Sequence, residues 1–282
     1  MPDRASPAPF LKWAGGKRQL LPRILHFVPD RIDTYYEPFL GGGALFFALA
    51  QRDAFRSAIL ADANAELIAC YEAVRDDVDA VIGALRGRRY RNDPASYYRV
   101  RALDPTTLSK PERAARVIYL NRCGFNGLYR VNSDGRFNVP FGRYRRPKIC
   151  DEPRLRAAAR ALAKAKIVCA DFESLLARPR EKDFVYLDPP YVPVSRTSSF
   201  TAYAAADFGP AEQQRLAGAL RDLAQRGVPA LLSNSDCRTT RDLYDGLDFE
   251  VVRARRAINS VAKRRGPVGE LLVQSRLVPS RA

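Results

Sequence analysis

The chain has 282 residues, 46% hydrophobic and 28% charged, with a formal net charge of +16; the composition is that of a soluble globular protein rather than a disordered one, and the length allows one large α/β domain or one domain with an insert. No apolar run approaches the ~18 residues needed to span a bilayer, and the start of the chain lacks the apolar core of a signal peptide, so no membrane attachment is expected. Five scattered cysteines (Cys70, Cys123, Cys150, Cys169, Cys237) with no Cys-x-x-Cys pair point to free thiols in a reducing cytoplasm, and against a zinc site or disulfide framework.

Leu20, Leu21, Ile24 and Leu25 recur at helical spacing in the segment Lys17 to Phe27, ending before Pro29. A short strand from Thr34 to Glu37 runs into Pro38-Phe39-Leu40-Gly41-Gly42-Gly43, and a helix follows over Ala44 to Gln51. A second strand, Ser57 to Ala61, ends at Asp62, before a helix from Asn64 to about Leu85. This βαβα start is that of an open parallel sheet. The character then changes. Two helical stretches, around Pro94 to Leu103 and Lys110 to Arg122, precede two strand-like runs, Tyr129 to Val131 and Arg136 to Val139. Asn132-Ser133-Asp134-Gly135 between those runs is a hairpin signal. Strands resume at Ile167 to Ala170 and Phe184 to Leu187, followed by a helix over Pro210 to Arg226 and strands at Pro229 to Ser233, Phe249 to Arg253 and Glu270 to Gln274. The two flanks, 1–85 and 149–282, join into one doubly wound α/β domain interrupted by a helical and β-hairpin module at 86–148.

That module holds most of the charge. Its 63 residues carry 16 Lys/Arg against four acids, +12 of the total +16. An Arg-rich composition raises the isoelectric point everywhere and does not explain clustering. A basic segment interleaved with Tyr, Phe and Asn fits a polyanion, most simply nucleic acid.

The glycine turn after the first strand lies where a backbone approaches a ligand closely and a helix N-terminus points outward. Alone it is a weak signal, since tight turns after strands are common. Asp62 ends the next strand 21 residues after Gly41, the spacing at which an acid binds ribose hydroxyls. The turn is not Gly-x-Gly-x-x-Gly, and Arg18 follows the phosphate-loop-like Ala14-Gly15-Gly16-Lys17, so a nucleoside without pyrophosphate fits better than NAD or ATP. S-adenosylmethionine is such a ligand. Asp188-Pro189-Pro190-Tyr191 closes the apolar strand Phe184 to Leu187. The prolines keep Asp188 and Pro189 extended, so a carboxylate, a carbonyl and an aromatic ring meet where an amino group on a flat heterocycle could be gripped. His26, on the apolar helical segment, reads as structural, and no acids form a metal-ligand set.

Phe10-Leu11-Lys12-Trp13-Ala14-Gly15-Gly16-Lys17, Tyr36-Glu37-Pro38-Phe39-Leu40-Gly41-Gly42-Gly43, Leu60-Ala61-Asp62-Ala63-Asn64 and Asp171-Phe172 appear in the order found in the Dam-type DNA adenine-N6 methyltransferases of the α group. The segments Tyr119 to Arg130, Asn138-Val139-Pro140-Phe141-Gly142-Arg143-Tyr144 and Asp188-Pro189-Pro190-Tyr191 fit the same order, and the chain resembles that family from about residue 9 to about 274. The resemblance implies a Rossmann-like methyltransferase sheet with an inserted DNA-recognition domain at 86–148. It also implies methyl transfer from S-adenosylmethionine to adenine N6 in double-stranded DNA, with base flipping.

Carried over by resemblance, Trp13 and Lys17 border the cofactor pocket, Glu37 and the turn from Gly41 to Gly43 lie around its methionine part, Pro38, Phe39 and Asp188 also belong to the cofactor site, and Asp62 takes the ribose hydroxyls. Asp171 and Phe172 hold the cofactor's adenine ring; Asp188 and Pro189 accept the target amine, with Pro190 and Tyr191 completing the site. Arg122, Asn126, Arg130, Asn132, Arg136 and Asn138 can read base edges, Arg143 is assigned to phosphate, and Leu128 or Tyr129 is a candidate wedge beside the flipped base. Asn121 reads as a builder of the turn. The pattern Asn-x-x-Gly-x-Asn-Gly-Leu-x-Arg over 121–130 makes GATC the expected target. Lys263-Arg264-Arg265 is either a phosphate clamp or a solvated loop. A monomer in the cytoplasm, associated with the nucleoid, is expected, and nothing in the sequence tells of a companion restriction endonuclease. The alternative is an rRNA guanine-N2 methyltransferase, which shares Asp-Pro-Pro-Tyr but lacks the N-terminal segment and the insert.

Overall fold

The computed structural model describes residues 5–13, 17–193, 208–255 and 267–278; Lys263-Arg264-Arg265 lies outside them. Seven strands form one mixed sheet in the order β3-β2-β1-β4-β5-β7-β6. They are β1 (Ile32–Glu37), β2 (Phe55–Asp62), β3 (Ala165–Cys169), β4 (Phe184–Leu187), β5 (Ala230–Ser235), β6 (Leu247–Arg255) and β7 (Pro267–Leu277). The strand order reverses at β1 and β4, and in such sheets ligands bind beyond the carboxyl ends of the strands at the reversal. Compact packing divides the chain into 1–16, 40–54 and 60–169 on one side and 17–39, 55–59 and 170–282 on the other.

In the second unit β4 pairs in parallel with β1 (Tyr36 opposite Val185) and with β5 (Tyr186 opposite Leu231). β5 and β6 both pair antiparallel with β7. All four residues of β4 are buried, as a central parallel strand requires. The long helix Pro210–Gln225 opens with Pro210 in its first turn and with Glu212 accepting the Gly209 N–H at 2.9 Å. It lays Leu216, Leu220 and Leu223 against Val185, Leu187, Leu232, Leu271 and Val273. Each such leucine contributes about 1.5–3 kcal/mol on burial, so the carboxyl end of β4 is held by a firm floor. Between Lys17 and Phe27 the expected helix is three short turns, the α-helical one (α1, Leu21–Ile24) carrying Pro22 in its first turn.

In the first unit α2 (Ala44–Gln51) follows the glycine turn as expected. The single helix expected over 64–85 is two, α3 (Ala65–Asp76) and α4 (Val78–Leu85). Asp77 leaves helical geometry and its carboxylate accepts the Ala80 N–H at 2.9 Å, so its capping ability outweighs the apolar periodicity that runs through it. Helices α5 (Pro94–Ala102) and α6 (Lys110–Cys123) form where the sequence placed them, and α6 packs on α3 and α4. The Arg116 side chain, 5% exposed, donates to the Val100 and Arg101 carbonyls and satisfies the end of α5. Three further helices, α7 (Glu152–Leu162), α8 (Phe172–Leu176) and α10 (Arg238–Leu243), are absent from the sequence reading; Pro210–Gln225 is α9.

The hairpin is present as a path without regular strands: one antiparallel bridge joins Val131 and Phe137. Backbone bonds from Asn132 N–H to the Arg136 carbonyl (2.9 Å) and from Asn138 N–H to the Arg130 carbonyl (3.0 Å) join the two runs, and the Asn132 side-chain oxygen, which accepts the Asp134 and Arg136 N–H groups, is engaged in holding the turn. No helix among the described residues is long and apolar enough to cross a membrane.

Candidate active site and DNA-facing segment

Asp188 is the first residue beyond β4. Its Oδ1 lies 2.7 Å from Lys17 Nζ, an ammonium only 6% exposed that also stands 4.4 Å from the centre of the Tyr191 ring. Burial pushes the Asp188 carboxyl above the ordinary carboxylate range; Lys17 pulls it back, and Glu270 pushes it up again. Tyr191 donates its phenol proton to Glu270 Oε2 at 2.7 Å. The backbone beyond is pinned by buried amides: Gln213 Nε2 donates to the Pro190 carbonyl at 2.8 Å, and Asn234 Oδ1 accepts the Val192 N–H at 3.0 Å. Asn234 Nδ2 donates to Gln213 Oε1 at 3.1 Å, closing the set. Glu270, Gln213 and Asn234 escaped the sequence reading. Ser233-Asn234-Ser235, three buried polar residues ending an apolar strand, was the available signal; Glu270 had none.

If Asp188 serves the reaction in its ionised form, activity is expected to fall as pH drops through its raised pKa. Lys17→Met removes the charge that favours ionisation, so the acid limb of kcat/KM should move to higher pH. A pH–rate profile of the variant checks this, with the opposite shift expected for removal of Glu270.

Glu37 ends β1 and is 2% exposed. Phe39 stacks on Phe172 at 5.4 Å, and Phe172, 3% exposed, belongs to the apolar core beneath the strand ends. Asp171 caps α8 by accepting the Glu173 N–H at 3.0 Å and pairs with Arg215 at 3.0 Å on the surface.

In the first unit Asp62 closes the glycine turn. Oδ2 accepts the Gly41 N–H at 3.0 Å and Oδ1 the Asn64 N–H at 2.9 Å. Burial raises its pKa against the pull of those two N–H groups. Gly41 has φ +47 and its carbonyl accepts a hydrogen bond from the Tyr71 hydroxyl at 3.1 Å; a Cβ there would stand 2.8 Å from the Trp13 ring. Trp13 stacks on Tyr129 at 5.5 Å, and Tyr129 packs edge-on against Phe137. Asn121, 4% exposed, accepts the Lys12 N–H at 2.8 Å and donates to the Lys12 and Gly127 carbonyls at 2.6 and 2.9 Å. It builds the turn, as its place in the sequence indicated.

The residues assigned to DNA divide. Asn126, Arg130, Arg136 and Arg143 are exposed. Arg130 Nε donates to Asn138 Oδ1 at 2.6 Å, so these two assigned readers hold each other. Arg122 instead donates to the Phe10 carbonyl at 2.6 Å, and burial lowers its pKa. Leu128 is half-buried and Tyr129 is committed to Trp13, which leaves neither ring nor side chain projecting. Phe125, 50% exposed and beside Asn126 at φ +55, does project. The sequence reading missed it.

A sheet of this order, with a glycine turn after β1, an acid ending β2 and Asp-Pro-Pro-Tyr after β4, defines a Rossmann-like methyltransferase. Residues 13–258 match the family described as D12 class N6 adenine-specific DNA methyltransferase. The chain is 40% identical over 271 residues to the type II methyltransferase M1.LlaDCHI of Lactococcus lactis subsp. cremoris, covering 94% of each chain. It is 41% identical over 284 residues to the type II methyltransferase M.MjaIII of Methanocaldococcus jannaschii (95% of this chain, 98% of the relative). To the DNA adenine methylase of Escherichia coli K12 it is 38% identical over 265 residues, 93% of each chain. The chain belongs to the D12 class of adenine-specific DNA methyltransferases and methylates adenine N6 in DNA with S-adenosylmethionine as donor. The rRNA guanine alternative is set aside by the same match.

Proposed function

We propose that the chain acts as a monomer on double-stranded DNA, methylating the adenine of GATC after swinging it out of the duplex. The observation that carries this reading is Asp188: a largely desolvated carboxylate at the end of β4, locked in place with Tyr191 by Lys17, Glu270 and Gln213. An adenine amine inside a base pair cannot reach such a group, so extrusion is required. In this reading Asp188 and the Pro189 carbonyl accept hydrogen bonds from the two amine N–H groups, one of which gives up its proton once the nitrogen carries the methyl. The Pro190 carbonyl is already held by Gln213. The adenine amine is a poor nucleophile because its lone pair is delocalised into the ring; two acceptors draw it toward a pyramidal geometry and stabilise the charge that develops on it. Each carboxylate oxygen takes two donors, so Lys17 and the amine fit on Asp188 together. Tyr191 stacks on the base.

The residues present fit the cofactor. Each Asp62 oxygen has one backbone donor and keeps capacity for a ribose hydroxyl, and the glycine turn leaves bare backbone where a side chain would collide with Trp13. S-adenosylmethionine supplies an electrophilic sulfonium methyl. We assign Trp13, Lys17, Glu37, Pro38, Phe39, Gly41 and Gly43 to its methionine part and Asp171 and Phe172 to its adenine, Phe172 acting as the apolar floor.

Residues 86–148 serve as the target-recognition segment and the remainder as the cofactor-binding part. Arg130, aimed by Asn138, reads guanine; Arg136 and Asn126 read further base edges; Arg143 anchors phosphate. Arg130→Ala should cost about 1–3 kcal/mol of discrimination, measured as relaxed site preference across variant duplexes, while an unchanged profile would move Arg130 to phosphate. We give the wedge role to Phe125 in place of Leu128 and Tyr129. With 2-aminopurine at the target position, fluorescence should rise on binding, and Phe125→Ala should shrink that rise. The +16 charge supports nucleoid association and a steep loss of affinity with salt. Labelled S-adenosylmethionine offered with GATC-containing and GATC-free duplexes tests the whole proposal. Equal incorporation into both would end it.

A further inference from the structure

We propose that Glu270 is a positioning residue for methyl transfer: by accepting the Tyr191 phenol it sets the angle of the ring that stacks on the extruded adenine. This rests on the stacking role given to Tyr191 above. Glu270 stands in β7 directly opposite Ser235, the last residue of β5, so two paired strands fix its backbone. Its carboxylate reaches Tyr191 across 79 residues of sequence at 2.7 Å. The other anchors of this segment act on its backbone, Gln213 on the Pro190 carbonyl and Asn234 on the Val192 N–H; Ser235 Oγ donates to the Val192 carbonyl. Glu270 holds the phenol end of the ring, and Lys17 lies over one ring face at 4.4 Å. With the backbone pinned on both sides of Tyr191 and the hydroxyl pinned at its far end, the ring plane is defined before any base arrives.

An acid here also carries a cost. The groups facing Asp188 are Lys17, Glu270 and the phenols of Tyr35, Tyr186 and Tyr191, and the negative charge of Glu270 opposes ionisation of Asp188. A role in tuning Asp188 would favour a neutral residue at 270; a role in holding a phenol favours a strong acceptor. The hydrogen bond decides for the second.

The test is a double-mutant cycle read at a pH well above the carboxylate range, where Asp188 is ionised in every variant. Glu270→Ala should lower kcat by about 10- to 100-fold, as misplacement of a reacting group does, with cofactor affinity unchanged. Glu270→Gln keeps the volume and an acceptor oxygen, holds the fold, and should recover most of the rate. In a Tyr191→Phe background, which has no hydroxyl to hold, Glu270→Ala should cause no further loss. An unaltered kcat in Glu270→Ala, or the same fold-loss in both backgrounds, would overturn the role of Glu270. Full activity in Tyr191→Ala would remove the stacking role itself and the inference with it, whereas loss in Tyr191→Ala beside an active Glu270→Ala overturns Glu270 alone.

Discussion

Asp188→Ala should lower kcat by about 10²–10³-fold or more, the scale on which loss of one preorganised hydrogen-bonding group at a developing charge is felt, while DNA affinity stays within a few-fold. In the proposed reading the carboxylate stands beside the amine nitrogen as that atom gives its lone pair to the methyl, becomes cationic and then loses a proton, and the nearby Glu270 is committed to Tyr191. The substitution also removes the carboxylate 2.7 Å from Lys17, a 6% exposed ammonium, so a lower unfolding temperature is expected. Asp188→Asn separates the two effects, since the amide oxygen still accepts one donor and the packing is kept. Single-turnover rates on a GATC duplex, with DNA binding measured alongside, check the result; turnover surviving in the alanine variant would take Asp188 out of the chemistry.

The second large effect belongs to Asp62. Asp62→Ala should weaken S-adenosylmethionine binding by about 10- to 150-fold, the equivalent of one charge-assisted hydrogen bond of about 1.5–3 kcal/mol. It should also loosen the turn, because the N–H groups of Gly41 and Asn64 lose their acceptor. Asp62→Asn, with one acceptor oxygen left, should fall between the two. The chain has a single tryptophan, and Trp13 stands against Gly41, so its fluorescence reports cofactor titration directly. An alanine variant that binds the cofactor as tightly as the parent would deny Asp62 the ribose.

Both residues were visible in the sequence for the same reason. Each ends an apolar strand, and a strand's end is encoded locally by the break in its pattern. β4, Phe184–Leu187, and α2, Ala44–Gln51, match the expected bounds because a continuous apolar run and a glycine-to-helix transition leave the chain little choice. The helix expected over 64–85 failed at Asp77, where a local capping preference was present and was outweighed in the reading by periodicity. Arg122 and Arg130 show the other limit. They have the same side chain and lie eight positions apart in a basic segment, yet one donates to the Phe10 carbonyl and the other projects beside Asn138.

Composition, strand ends and the order of its motifs determined what this chain is: an α/β methyltransferase with an acid after β4, an acid after β2 and a basic insert. Which polar groups meet was decided only by tertiary structure. Glu270 on Tyr191, Gln213 on Pro190 and Asn121 on Lys12 are separated by 79, 23 and 109 positions. A hydrogen bond acts over about 3 Å, and nothing in a local pattern records which distant segment the chain brings back to that range.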